Sequence, residues 1–487
     1  MRILGIAALS HDAAVAVIDD RVVRFAAQAE RYSRRKNDPN LHEGLLEEAL
    51  AFGTPEVIAW YERPLVKKVR HLVAGQYRQG LSPVDLPRRN LRRWGLGGLP
   101  VRFVPHHVAH AAGGALTSGF GDASILVADG IGEFATFSAY TFDIVAGLRR
   151  VASVRYPHSL GLLYSAFTRR CGLRPNEDEH ILMGMAAYGR PAHVEAILND
   201  LVEPADFGFR LKRNVHRGIR DWMPGAAPAD LAASIQYVTE EIMVRTTAWM
   251  RRQLPSSNLV LGGGLALNCV ANSRIAAEAG FDEVWILPNP GDAGSCIGAA
   301  AAVAGSPVVW PGPYLGTDIR GPYRLREIVQ GLVGGHVVGV AHGRAEFGPR
   351  ALGNRSLLAD PRGPHVKERV NRVKGRELFR PFAPSILAEL SDRYFEMARP
   401  ESPYMQFVAR CRSPAEFPAV VHRDGTSRVQ TVRRDQNPHF YELLREFYRR
   451  TGCPMLLDTS LNVRGEPLVN SRHDARRFEA ATGVPVF

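Results

Sequence analysis

Apolar residues open the chain in three short runs, Ile3 to Leu9, Ala13 to Ile18 and Arg21 to Ala27. Polar breaks at Ser10-His11-Asp12 and Asp19-Asp20 separate them. Runs of that length bounded by turn residues predict three antiparallel strands, with a hairpin turn at Asp19-Asp20. The period then lengthens. Leu41 to Phe52 and Asp230 to Arg252 predict helices, and in the second Leu231, Ile235, Val238 and Ile242 recur at one-face spacing. Leu259 to Leu261 predicts a strand that runs into Gly262-Gly263-Gly264. Val284 to Leu287 predicts another, followed by a loop through Asp292 and a small-residue helix, SCIGAAAAVAG. Strands and helices mixed in this order predict an α/β fold.

A break in composition follows. Ser306 to Gly316 (SPVVWPGPYLG) holds three prolines and two glycines in eleven residues, the mark of a linker, and a new strand is predicted at Val337 to Ala341. A chain of 487 residues exceeds one ordinary core, so two domains are expected, 1–310 and 318–487. No repeat of fixed period is visible in the sequence.

Composition changes the picture little. At 45% hydrophobic and 23% charged residues, the chain is of the folded globular type. The net charge of +12 suits a nucleic-acid partner in sign, but the arginines are scattered. The densest group, Arg88, Arg89, Arg92 and Arg93, has no aromatic-plus-basic recognition motif beside it, so no nucleic acid is expected. Five cysteines stand singly, which predicts neither a disulfide framework nor a cysteine metal site. The N-terminus lacks the order of a signal peptide, and no apolar stretch approaches the roughly 18 residues of a membrane span. A cytoplasmic protein with no membrane partner is expected.

Four constellations could carry chemistry. His106 and His110 of HHVAHAA stand one turn apart if helical, so both imidazoles can meet one ion. Asp129 ends an apolar run and Asp292 sits on a glycine loop; carboxylates of that kind could complete a site for a divalent first-row metal. His11, in a loop with small residues after it, is the side chain there able to take a proton near neutral pH. Gly262-Gly263-Gly264, leading to Asn268, lets backbone approach a nucleotide, although no GK[ST] ending makes it a Walker loop. Beyond the linker, arginines placed among glycine and proline (GRAEFGPRALGNRS, KGRELFRPFAPS), with Arg428 and DTSLN at Asp458 to Asn462, form a candidate anion pocket.

Together and in order, SHDAA, HHVAHAA, ADGIGE, SLGLLYSAFT, MGMAAYG, GGGLALN, NPGDAGSCIGAA, GRAEFGPRALGNRS, KGRELFRPFAPS and DTSLNVRGEP resemble the NodU/CmcH-type O-carbamoyltransferases. That family serves natural-product and nodulation-factor biosynthesis and includes the tobramycin carbamoyltransferase. The resemblance implies an actin-like, ribonuclease-H-like (ASKHA) N-terminal domain, whose opening strands fit the first three runs, and a YrdC-like α+β C-terminal domain. It implies that His106, His110, Asp129 and Asp292 bind Fe²⁺ or another divalent metal, and that His11 is the base in transfer. It implies nucleotide contacts at Lys36, Gly262, Gly263, Gly264 and Asn268. Arg350, Lys374, Arg380, Arg428, Ser460 and Asn462 would hold carbamoyl phosphate and ATP, the latter with Mg²⁺. Carbamoyl-AMP forms in such an enzyme, and its carbamoyl group passes to a hydroxyl, here of a sugar or macrolide, in a possible homodimer. Many members carry a lysine near position 181; here the run is Glu179-His180-Ile181, so that cation is either missing or displaced to His180. A tRNA threonylcarbamoyl-transferase-like enzyme and a non-catalytic nucleotide-binding regulator are the alternatives.

Overall fold

A computed structural model describes residues 1–84, 86–378 and 380–487; Phe379 of KGRELFRPFAPS therefore lies outside the described residues. The chain forms two compact units, Met1–Phe25 with Pro39–Trp310, and Ala26–Asp38 with Pro311–Phe487. The second unit thus takes in a thirteen-residue segment of the N-terminal region, which the contiguous 1–310 division had assigned elsewhere.

Unit 1 contains two five-stranded sheets. In the first, β1 (Arg2–Ala7), β2 (Ala14–Asp19), β3 (Val22–Gln28, its last residues passing into unit 2), β4 (Val57–Trp60) and β5 (Val101–Phe103) lie in the order β3-β2-β1-β4-β5. The hairpin turn is Asp20-Arg21, one residue later than expected. Asp19 is still paired with Arg2, through the strand register and a 2.8 Å ion pair. Asp20 and Arg21 take φ of 46° and 64°, the left-handed pair that a tight two-residue turn requires.

Helix α1 (His106–Thr117) follows, then β6 (Asp122–Gly132), β7 (Ala135–Asp143), β8 (Gly147–Arg155), α2 (Leu160–Arg170), α3 (Glu179–Ala186) and the long α4 (Pro228–Gln253). Strands β9 (Asn258–Gly262) and β10 (Glu283–Ile286) and helix α5 (Ser295–Ala304) complete the unit. The second sheet runs β10-β9-β6-β7-β8. Counted from its own first strand this is again 3-2-1-4-5, with the inner β9–β6 and β4–β1 pairs parallel. One topology is therefore built twice. The long first strands β1 and β6 are apolar throughout their inner stretches because each lies inside its sheet.

In unit 2, α6 (Leu325–Val333), β11 (Val338–Ala341), β12 (Gly343–Glu346), β13 (Arg355–Ala359), α7 (Val366–Lys374), β14 (Ala383–Leu387), β15 (Gln430–Val432), α8 (Pro438–Thr451) and β16 (Met455–Ser460) carry the argument. Its main sheet is mixed, in the order β11-β13-β16-β14-β15. Ile328, Val329 and Leu332 of α6 and Phe440, Leu443, Leu444 and Phe447 of α8 bury their apolar faces in the core beside Leu357, Leu456 and Leu457. Among the described residues, no helix is long and apolar enough to cross a membrane.

Candidate functional site

In unit 1, four buried or nearly buried side chains converge. One ligand atom from each of His106, His110, Asp129 and Asp292 lies within 4.8 Å of the others. Both histidines are on the first turn and a half of α1, so the i, i+4 spacing stacks their rings on one face, with Nε2 atoms 3.0 Å apart. Asp129 projects from β6, and Asp292 opens the turn before α5. His106 Nε2 lies 3.3 Å from Asp129 Oδ2 and 3.4 Å from Asp292 Oδ1. His110 Nδ1 donates to the Pro290 carbonyl at 3.1 Å, which leaves Nε2 as the lone-pair nitrogen facing the quartet. Asp129 is aimed in the same way: its Oδ1 accepts the Gly264 N–H at 3.1 Å, and Oδ2 turns inward.

The electrostatics suit a cation. Burial opposes charge on His106, yet Asp292 and Asp129 raise it well above the usual histidine range. Burial and the charge of Asp292 push Asp129 up, but the His106 bond and the nearby imidazoles bring it down to about 2. Two imidazole nitrogens and two carboxylates fit one divalent first-row ion, which would replace the proton that otherwise has to sit between them. Gly132 makes the room: a Cβ there would fall 2.0 Å from the His106 ring.

His11 sits between Asp12, whose Oδ2 is 3.4 Å from Nδ1, and the Asn176 backbone. Burial pulls its pKa down, but the bond to Asp12 and the charges of Asp12 and Asp292 raise it to about 9. Gly263 has φ of 86°, and a Cβ there would lie 2.3 Å from the Ala128 carbonyl oxygen, so only glycine fits. Its N–H donates to the same Pro290 carbonyl that orients His110. Asn268 is engaged within the protein, capping the next helix at the Ala271 N–H and pairing amide to amide with Gln236 of α4. His180 is exposed in the first turn of α3, near Asp178.

Several neighbours of the site escaped the sequence reading. Tyr61 stacks its ring 5.2 Å from that of His106. Ser295 lies 3.2 Å from His110 Nδ1. His107, one residue after His106, hydrogen-bonds Ser138 at 2.9 Å, and burial with the charge of His106 lowers it to about 3. It is a neutral core histidine, as the alternation of helix faces would have indicated.

In unit 2, Lys374, Arg376, Arg380 and Arg428 lie close enough to feel one another's charge. Nζ of Lys374, the last residue of α7, lies among four acceptors that share its protons: the Ser460 carbonyl, Ser460 Oγ at 3.1 Å, the Asn462 carbonyl at 3.0 Å and Asn462 Oδ1 at 2.8 Å. Burial, then the charges of Arg376, Lys36 and Arg380, push it well below the usual lysine range. Lys36 belongs to unit 2. Arg376, stacked 4.3 Å over the Phe382 ring, is lowered to about 9 by burial, Arg380 and Arg428. Mutual repulsion of this kind is relieved when an anion binds.

Arg350 is carried on the loop between β12 and β13. Glu346 Oε1 accepts the N–H groups of Leu352, Asn354 and Arg355 at 2.8, 2.8 and 3.1 Å, which ties that loop down. Arg355, fully buried, donates to the carbonyls of His342, Gly343, Asn354, Thr317 and Asn470. It clamps the loop that bears Arg350. An Arg355→Met substitution leaves those carbonyls without their donor and is expected to lower the stability of unit 2 by about 3 kcal/mol or more. Hydrogen exchange of unit 2 peptides across a denaturant series on the full chain measures it.

Residues 90–301 match the family described as Carbamoyltransferase N-terminus, and residues 329–487 that described as Carbamoyltransferase C-terminus. An uncharacterized protein of Synechocystis is 36% identical, over 98% of this chain and 93% of its own length. The nodulation protein NolNO of Sinorhizobium fredii is 34% identical, over 96% of this chain and 76% of its own. A 3'-hydroxymethylcephem-O-carbamoyltransferase of Amycolatopsis lactamdurans is 31% identical, over 97% and 95%.

Proposed function

This chain belongs to the NodU/CmcH-type carbamoyltransferase family, and from that premise we propose that it is an ATP-dependent O-carbamoyltransferase of natural-product biosynthesis. The observation that carries the reading is the His106, His110, Asp129, Asp292 convergence in a chain that also gathers buried cations around Lys374.

Unit 2, read as a YrdC-like domain, makes carbamoyl-AMP. Carbamoyl phosphate and one water give carbamate and phosphate. A carbamate oxygen then attacks the α-phosphorus of ATP, bound with Mg²⁺, and pyrophosphate leaves. Arg350, Lys374, Arg380 and Arg428 offset the charge of two anions that would otherwise repel each other, and Ser460 and Asn462 hold Lys374 in place for them.

Unit 1, read as an actin-like domain on the strength of its twice-built strand order, transfers the carbamoyl group. His106, His110, Asp129 and Asp292 would hold Fe²⁺ or another divalent ion, whose Lewis acidity polarises a bound carbonyl. Gly262 to Gly264 offer backbone to the nucleotide. His11 takes the proton of the attacking sugar or macrolide hydroxyl. To do so it must first be neutral, so transfer is expected to quicken as the pH rises towards 9. Joining both steps in one chain shortens the exposure of a labile anhydride to water.

The test uses purified protein with carbamoyl phosphate, ATP and Mg²⁺. Pyrophosphate release requires both substrates; release without carbamoyl phosphate would overturn the reading. In His11→Asn, pyrophosphate release stays at the wild-type rate while carbamoylated product falls by about 100-fold or more, the usual share of a general base. Chromatography of the acceptor measures the second quantity.

A further inference from the structure

Asp458 has no task in the reaction as derived so far. Strand register places Asp458 opposite Leu358 and Ala383, Ser356 opposite Ser460, and Ser385 opposite Gln430. Side chains alternate along a strand, and directly paired residues share a face. Ser356, Asp458, Ser460, Ser385 and Gln430 therefore stand on one face of the sheet, across four adjacent strands. This is the face on which Ser460 meets Lys374.

Asp458 is 1% exposed, on the middle strand. Its Oδ2 lies 2.9 Å from Ser385 Oγ, which lies 2.7 Å from Gln430 Oε1. A hydroxyl has one proton and cannot donate to both oxygens. The Gln430 amide nitrogen is turned to the Leu352 carbonyl, so it does not supply the missing hydrogen. The chain closes when the carboxyl is protonated: Oδ2–H donates to Ser385, and Ser385 donates to Gln430. Burial supports that form, raising the acid to about 8 with the charge of Glu346, against Ser356, Ser385 and Arg428. Lys374 and Tyr314 are the other titratable groups that feel its charge. The Ser356 hydroxyl, which accepts the Gly353 N–H, lies near the carboxyl, but Oδ1 is buried and no donor among the described residues meets it in hydrogen-bond geometry. Buried acceptors are almost always matched, so an unmatched one on the sheet face that carries Ser460 and Lys374 calls for a donor from outside the chain.

We propose that Asp458 determines specificity for the carbamoyl unit, its Oδ1 accepting an N–H of the carbamoyl amide. The inference rests on the reading that unit 2 binds carbamoyl phosphate. Around it, the cations and hydroxyls suit phosphate oxygens. Asn462 Oδ1 is already taken by Lys374 and Ser460. A neutral acid accepts the amide hydrogen without repelling the phosphate next to it. Acetyl phosphate, with a methyl group in place of the amine, offers nothing to Oδ1.

Calorimetric titration of the full chain with carbamoyl phosphate, acetyl phosphate and inorganic phosphate tests this. Asp458→Leu is expected to weaken carbamoyl phosphate by about 10- to 100-fold, the worth of one buried hydrogen bond, and to leave the other two ligands unchanged. Asp458→Asn keeps a donor for Ser385 and an acceptor for the amide, so it rescues the preference. In wild type, carbamoyl phosphate binding also weakens as the pH rises through about 8 and the carboxylate forms; Asp458→Asn lacks that component. Equal weakening of all three ligands by Asp458→Leu, or an Asp458→Asn that behaves like it, overturns the inference. Should Asp458→Leu not fold, identical pH profiles for wild type and Asp458→Asn overturn it. A wild type that binds phosphate but does not prefer carbamoyl phosphate overturns the reading of unit 2 itself, and this inference with it.

Discussion

Alanine in place of His110 is expected to lower carbamoyl transfer by about 1000-fold while pyrophosphate release continues at the wild-type rate. The imidazole is one of two nitrogen donors, and its Nε2 lies 3.0 Å from that of His106 and 3.5 Å from Asp292 Oδ1. Without it, the quartet keeps one nitrogen and two carboxylates, a weaker and more anionic set. Lewis-acid polarisation contributes several kcal/mol to a transition state, and about 1.4 kcal/mol is tenfold in rate. Bound metal, measured by elemental analysis, falls together with the transfer rate. In the proposed division of labour, pyrophosphate release belongs to unit 2, where His110 has no part. A variant that lost both activities in parallel would show that the two half-reactions are not divided between the units.

The helix register of His106 and His110 could be seen in the sequence because i, i+4 spacing has one geometric meaning once a helix forms. What aims them could not. The Pro290 carbonyl and the Gly264 N–H act as backbone groups, and their directions come from turns 180 and 135 residues away in sequence from the side chains they hold. The glycine run was legible as a close-approach loop, but its contact with Asp129 was not. Asn268 was expected to contact a nucleotide, and its pairing with Gln236, 32 residues earlier on α4, could not be read from the sequence.

Topology was hidden in a different way. The two sheets of unit 1 repeat one strand order, yet the strands are separated by unequal insertions, so no fixed period survives in the sequence. The move of Ala26–Asp38 into unit 2 was equally invisible, because a short segment is assigned by what it packs against and not by its own pattern. That move matters chemically. It puts Lys36 among the charges that Lys374 feels. Strand ends shifted by a residue or two, as at Asp20-Arg21, where positive φ values rather than composition decided the turn.

Lys374→Met is expected to reduce carbamoyl-phosphate-dependent pyrophosphate release by about 100- to 1000-fold, with transfer from supplied carbamoyl-AMP retained. Methionine keeps most of the length and apolar stem but removes the charge at the centre of the cluster. Arg376, Arg380 and Lys36 each lower Lys374, and an anion reverses that effect by stabilising the ammonium. Binding therefore takes up a proton whenever the free lysine is partly neutral. The sign follows: affinity for phosphate falls as the pH rises, and the fall is shallower in Lys374→Met because the proton-linked group is gone. Four oxygen acceptors around Nζ also lose their donor, so some stability is lost as well. Phosphate titration at two pH values separates the effects. A variant that is merely destabilised keeps the wild-type pH slope in its folded fraction, whereas loss of the anion-binding cation flattens it.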